Sequence, residues 1–171
     1  MISQPDMFER FIPPSGIQDT LTAARDRLFR NLDKGSRCPC CDQHAMRYRR
    51  HINAGMARAL ILMVKESAVS GDMIDIKKLD VRGGDYAKLR YWGLIKQLRN
   101  TEERSGTRSG LWRVTDIGVA FANNESSVTG IAIVYNDECE RLTGDQVTIV
   151  GALGKKFSYE ELMSGHKTEI K

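Results

Sequence analysis

Cys38, Cys40 and Cys41 fall within four consecutive positions, and His44 and His51 follow them closely. Thiolate and imidazole are the ligands that Zn²⁺ prefers, and a C-P-x-C turn can point its outer sulfurs at one ion. The spacing C-x2-C-x2-H-x6-H nominates Cys38, Cys41, His44 and His51 as a structural zinc set, with Cys40, Cys139 and His166 as outside candidates. Such a turn is half a site, and the chain has no second C-x-x-C. The gap between the two histidines exceeds the roughly three to five residues usual in a finger. The competing reading is a turn that keeps this shape without metal.

A second set of residues suits phosphate. Arg47 and Arg49 flank Tyr48, and basic residues interleaved with an aromatic favour phosphate contact or base stacking. In a strand, Arg47 and Arg49 share one face with His51, expected to be exposed, while Tyr48 and Arg50 take the other. Further on, Arg82 and Gly84 introduce a short helix in which Lys88 and Tyr91 are expected to point outward. Small residues there let a helix start approach a phosphate closely. Arg104 and Arg108 lie on a loop of Ser, Thr and Gly, a composition suited to entering a narrow minor groove, although Glu102 and Glu103 oppose it. The eight residues expected to contact nucleic acid are therefore Arg47, Arg49, Arg82, Gly84, Lys88, Tyr91, Arg104 and Arg108.

Charge is distributed unevenly enough to support this. The whole chain carries +4, but residues 77–113 hold ten basic and four acidic side chains and residues 37–58 hold five and one. Residues 114–171 are acidic, with five basic and nine acidic side chains. Phosphate is the partner such a field favours, against the plainer alternative of a solvated basic face balanced by an acidic tail. Catalytic signatures do not accompany it. There is no P-loop, G-x-G-x-x-G, H-E-x-x-H or G-x-S-x-G, and Cys139 between Glu138 and Glu140 is poorly placed to be a nucleophile. The sequence predicts a binding protein, not an enzyme.

The elements that must position these groups follow from periodicity. Ser15 and Gln18 form a capping-box pattern, and Ile17, Leu21, Ala24, Leu28 and Leu32 make one apolar stripe, predicting a helix over 17–34 that ends at Gly35. That stripe must pack on the rest of the chain or on a second copy, so a homodimer is expected. Asn53 caps a helix over 54–69 with Met56, Leu60, Met63 and Val64 inside. A short strand holds Ile74 and Ile76, one or two helical turns cover 77–81, and a helix spans 85–93 with Tyr86, Leu89 and Gly93 inward. Strands at 95–100 and 111–114 enclose the loop, and Thr115 caps a helix over 116–123 with Ile117 and Phe121 inward. Beyond it, GIAIVYN and QVTIVGAL read as strands, and Ser158 with Glu161 opens a last short helix.

That order, helix, strand, helix, helix and hairpin, predicts an α+β fold with a winged helix-turn-helix core over 53–123. An arm and amphipathic helix (1–36) and a cysteine turn with a basic strand (37–52) precede it, and a β-rich extension (124–171) follows. The run LRYWGLI, a hairpin and then LWRVTDIG resemble winged-helix DNA-binding domains such as the MarR-type regulators. The resemblance implies a double-stranded DNA-binding module, often dimeric, in which recognition helix and wing carry the contacts and transcription is regulated. The chain departs from that plan in lacking long flanking helices and in adding a cysteine turn. The combination is also similar to bacteriophage-encoded proteins. An adaptor that docks on a host or replication protein is the alternative. A hydrophobic share of 41% and mean hydropathy of -0.39 suit a water-soluble domain. Clustered, unpaired cysteines and the lack of a signal-like apolar start predict a cytoplasmic location.

Overall fold

The computed structural model describes residues 20–71, 73–99 and 108–164. Its secondary structure is mixed α+β, and the chain divides into two compact units, residues 1–48 and 49–171.

In the first unit, Thr20 is extended (φ -61°, ψ 155°) and its hydroxyl accepts the N–H of Ala23, so α1 runs Leu21–Asn31. The helix therefore begins later than the stripe from Ile17 suggested, and the Ser15–Gln18 pattern lies outside the described residues. Gly35 (φ +79°) closes its far end, its N–H bonding back to the Leu32 carbonyl. Ala24 and Leu32 are buried, whereas Leu21 is 74% and Phe29 37% exposed. Strands β1 (Ser36–Arg37) and β2 (His44–Ala45) pair antiparallel and frame the cysteine turn.

The second unit is built around α2 (Ala54–Ser70), capped by the Asn53 side chain as expected. Met56, Ala57, Ala59, Leu60, Ile61 and Met63 are all buried, so the helix is covered on more than one stripe. Around it lie two three-stranded sheets. One has the order β4-β6-β5, from β4 (Ile74–Asp75), β5 (Ile95–Arg99) and β6 (Arg108–Val114). The other has the order β3-β7-β8, from β3 (Tyr48–His51), β7 (Val128–Tyr135) and β8 (Glu138–Val147). Helices α3 (Asp116–Ala122), α4 (Ile149–Leu153) and α5 (Tyr159–Ser164) complete the unit. One continuous core joins Leu60, Leu89, Trp112 and Phe121 to Val134, Ile149 and Leu153.

Several elements differ from the sequence reading for identifiable reasons. The turn expected at 77–81 is a single 3₁₀ turn, Ile76–Lys78, started by the Asp75 carboxylate accepting the Lys77 N–H. The helix after Gly84 is present, but as a 3₁₀ helix, Asp85–Trp92. The last strand is ECERLTGDQV and not QVTIVGAL. Asn136 and Asp137 both take positive φ (48° and 64°), the geometry of a two-residue type I′ turn, so β8 starts immediately after them. Residues 149–153 coil instead, because the Thr148 hydroxyl accepts the Gly151 N–H at 3.2 Å. Thr115 caps α3 as expected, but Ile117 is 59% exposed, and Gly118, Phe121 and Ala122 are the buried positions.

Candidate nucleic-acid interface and cysteine turn

Gly83 (φ +76°) turns the chain into the 3₁₀ helix, and Gly84 precedes it exposed. A 3₁₀ helix repeats every three residues, so Tyr86, Leu89 and Trp92 stack along one edge. The Tyr86 ring meets Trp112 edge-on at 5.6 Å, Leu89 is fully buried, and Trp92 Nε1 donates to the Thr129 carbonyl. Gly93, expected in the core, is exposed at φ +69° and ends the helix, while Trp92 holds the inward position.

The outer flank of this helix is already engaged. Lys88 pairs with Asp85, a bond that draws the Asp85 carboxyl below its usual range, helped by the charge of Arg50. Arg90 pairs with Asp137 at 2.5 Å and lies over the Tyr91 ring, 4.7 Å from its centre. The Tyr91 hydroxyl donates to Asp137 Oδ1 at 2.7 Å. Burial raises the Tyr91 pKa first, and the bond to Asp137 adds to it. Tyr91 is thus half-buried beneath the tip of the β7–β8 hairpin and does not project outward as the 100° helical wheel placed it.

Arg50 perturbs both Asp85 and Tyr91, so the basic strand β3 lies beside the 3₁₀ helix. Two cationic stretches far apart in sequence therefore meet. On β3, Arg49 and His51 are exposed, as the alternation predicts. Arg47 is not part of that exposed face: it belongs to the first unit, where its side chain is 20% exposed and its guanidinium reaches Asp33 at 3.4 Å. Arg82 is exposed, as are Lys77 and Lys78 before it. Arg49, Arg82, Lys77 and Lys78 form no side-chain ion pair with another described residue. Arg104 lies outside the described residues, and Arg108 opens β6 opposite Arg99. Sequence reasoning missed Asp85, Arg90 and Asp137. The available signal for the last was the Asn136-Asp137 turn dipeptide.

The cysteine turn is well formed. The Cys38 N–H bonds the Gln43 carbonyl and the Asp42 N–H bonds the Cys38 carbonyl, both at 2.8 Å. Asp42 takes φ +57°, and Arg37 clamps it through Oδ2 at 3.0 Å and its carbonyl at 3.1 Å. The backbone N–H groups of Cys40 and Cys41 and the Cys41 thiol point at the Cys38 sulfur, holding its pKa below that of an ordinary thiol. His44 stands opposite Arg37 on β2, its Nε2 only 2.8 Å from where a side chain on Gly35 would begin. His51 is on β3 in the second unit. Among the described residues, no three His, Cys, Asp or Glu side chains gather around a common point. Cys139 is half-buried with its thiol on the Arg141 carbonyl, and burial, ahead of the Glu140 charge, raises its pKa.

No protein-family model, curated protein or solved structure matches the chain. Among the described residues no helix is long and apolar enough to cross a membrane.

Proposed function

We propose that this chain is a double-stranded DNA-binding protein of the winged helix-turn-helix type, acting as a small prokaryotic or phage transcriptional regulator. The observation that carries the reading is connectivity. Helix α2, strand β4, a 3₁₀ turn, the 85–92 helix and the β5–β6 hairpin follow one another, with sheet order β4-β6-β5. That succession is the one expected of a winged helix, with the 85–92 helix in the recognition position and β5–β6 as the wing. Arg49, Arg82, Lys77 and Lys78, without an ion-pair partner among the described residues, supply phosphate contacts, which position a protein on a duplex. The helix is short and its flank is occupied, so base reading falls to its first turn and to the wing.

Duplex binding measured by fluorescence anisotropy across salt concentrations tests this. Each phosphate contact contributes about 0.9 to the log–log salt slope, so the triple variant Arg49→Ala, Lys78→Ala, Arg82→Ala is expected to flatten the slope by about 2 to 3. A variant that binds as tightly as wild type, with the same slope, removes the proposal. A second reading, an adaptor that docks on a protein, draws support from one observation. Arg58, Lys88 and Arg90 are each neutralised by a carboxylate of the chain itself: Asp80, Asp85 and Asp137. A stable protein complex that retains no DNA favours that alternative.

A further inference from the structure

We propose that Cys38 and Cys41 from two copies of this chain hold one Zn²⁺ between them, forming a tetrathiolate site on the two-fold axis of a homodimer. Such a site is independent of DNA binding, and its basis is the way the turn is built. Two backbone hydrogen bonds, a left-handed Asp42 and the Arg37 clamp fix the loop. Cys38 and Cys41 stand at the two ends of this fixed turn, the C-x2-C spacing at which two thiolates reach one Zn²⁺. Backbone ordering of this kind, with Cys38 half-buried and Cys41 exposed, presents that pair near the surface. Structural zinc takes four ligands, and this turn supplies two.

Among its described residues, the rest of the first unit does not supply the other pair. Residues 1–48 contain no Cys or His besides Cys38, Cys40, Cys41 and His44. The His44 ring packs over Gly35, and among the described residues no three His, Cys, Asp or Glu side chains, Cys40 included, gather as a metal site. A second copy offers an identical pair, and a self-complementary arrangement about a two-fold axis closes the coordination sphere with no further residue.

Two further observations favour a second copy as the occupant. The unit is small, and among its described residues only Ala24 and Leu32 are fully buried apolar side chains. Units of this size ordinarily need a metal, a disulfide or a partner chain to be stable. Beside the turn runs an open groove of about 670 Å³, lined by Leu21, Ala24, Leu28 and Phe29 of α1 together with Cys38 and Pro39. The apolar face and the half-site are thus contiguous, and one copy docking on another covers both. Residues 1–48 carry seven basic and six acidic side chains, so net charge sets no large barrier to two such units meeting.

The experiment uses the full reduced chain with Co²⁺ as the spectroscopic probe and Zn²⁺ as the competing ion. The expected result is sulfur-to-cobalt charge-transfer absorption that saturates at about one ion per two chains, the stoichiometry of four shared thiolates. Proton release should accompany it, and sedimentation should show a monomer becoming a dimer with Zn²⁺ and reverting with chelator. The variant Cys38→Ser, Cys41→Ser should lose both metal and metal-dependent dimerisation, while His44→Ala and His51→Ala keep both. Trp92 and Trp112 both belong to the second unit, so tryptophan fluorescence reports separately whether a variant has folded there. Saturation at one ion per chain in a monomer overturns the proposal in favour of a site within one copy. Absence of charge-transfer absorption from the wild-type chain overturns it outright.

Discussion

Gly118 sits in α3 where an added Cβ would lie 2.1 Å from the Leu94 carbonyl oxygen and 2.8 Å from Val114 Cγ1. Backbone cannot yield as a flexible side chain can, so Gly118→Ala is expected to cost about 3 kcal/mol, the upper part of the usual overpacking range. A lowered urea midpoint with an unchanged m value would show it. Tyr91 offers a test in pH. Its folded pKa is raised by burial and by the bond to Asp137, so its contribution is complete below the ordinary phenol pKa. That contribution is lost as pH rises through the folded value. Stability should therefore fall more steeply above about pH 10 in wild type than in Tyr91→Phe, measured by urea denaturation along the alkaline limb. Residue types at this site were legible only in part: Lys88 lies on the polar helix flank, whereas Tyr91, expected to point outward, packs half-buried against the core. Their partners were not, since the turn holding Asp137 reaches Tyr91 from 46 positions away and local patterning carries no record of such a contact.

Thr115 joins two elements. Its hydroxyl accepts the Gly118 N–H at 3.1 Å and donates toward the carbonyls of Gly93 and Leu94, at 2.7 and 3.1 Å. It therefore caps α3 and ties the start of β5 to that helix. Thr115→Ala should cost about 1–2 kcal/mol, the upper range for a lost cap, and equilibrium unfolding measures it. Caps were the most readable feature of the sequence, and Asn53, Thr115 and Ser158 all act where their types and spacing placed them. Helix type was less readable. An α period puts Gly93 beneath Leu89, whereas the 3₁₀ period puts Trp92 there, and only packing against Thr129 and the core selects the tighter form. Strand β8 was missed because Glu138, Glu140, Arg141 and Asp145 give it a polar surface, and its place is set by pairing with β7.

At the scale of the molecule, the apolar core belongs to the second unit and runs from Ile52 to Leu153. A fragment of residues 47–171 keeps all of β3 and that core. Its tryptophan-monitored unfolding should remain cooperative and lie within about 1 kcal/mol of the full chain, as for a domain with its own core. Loss of the transition in the fragment would show that the first unit is needed for the second to fold. Charge asymmetry along the chain was readable and pointed to the stretches that meet beside the 3₁₀ helix; the carboxylates that moderate them there were not. Asp137 has a consequence of its own. Lodged against Arg90 and Tyr91, it is a tethered counter-ion. Under the proposed DNA binding, a phosphate would have to compete at these two side chains with an acid that cannot diffuse away. Replacing Asp137 with Asn should release Arg90 for phosphate contact, tighten duplex binding and steepen its log–log salt slope by about 1. An unchanged slope would mean that Arg90 never faces the nucleic acid, and that the hairpin tip is a brace and not a gatekeeper.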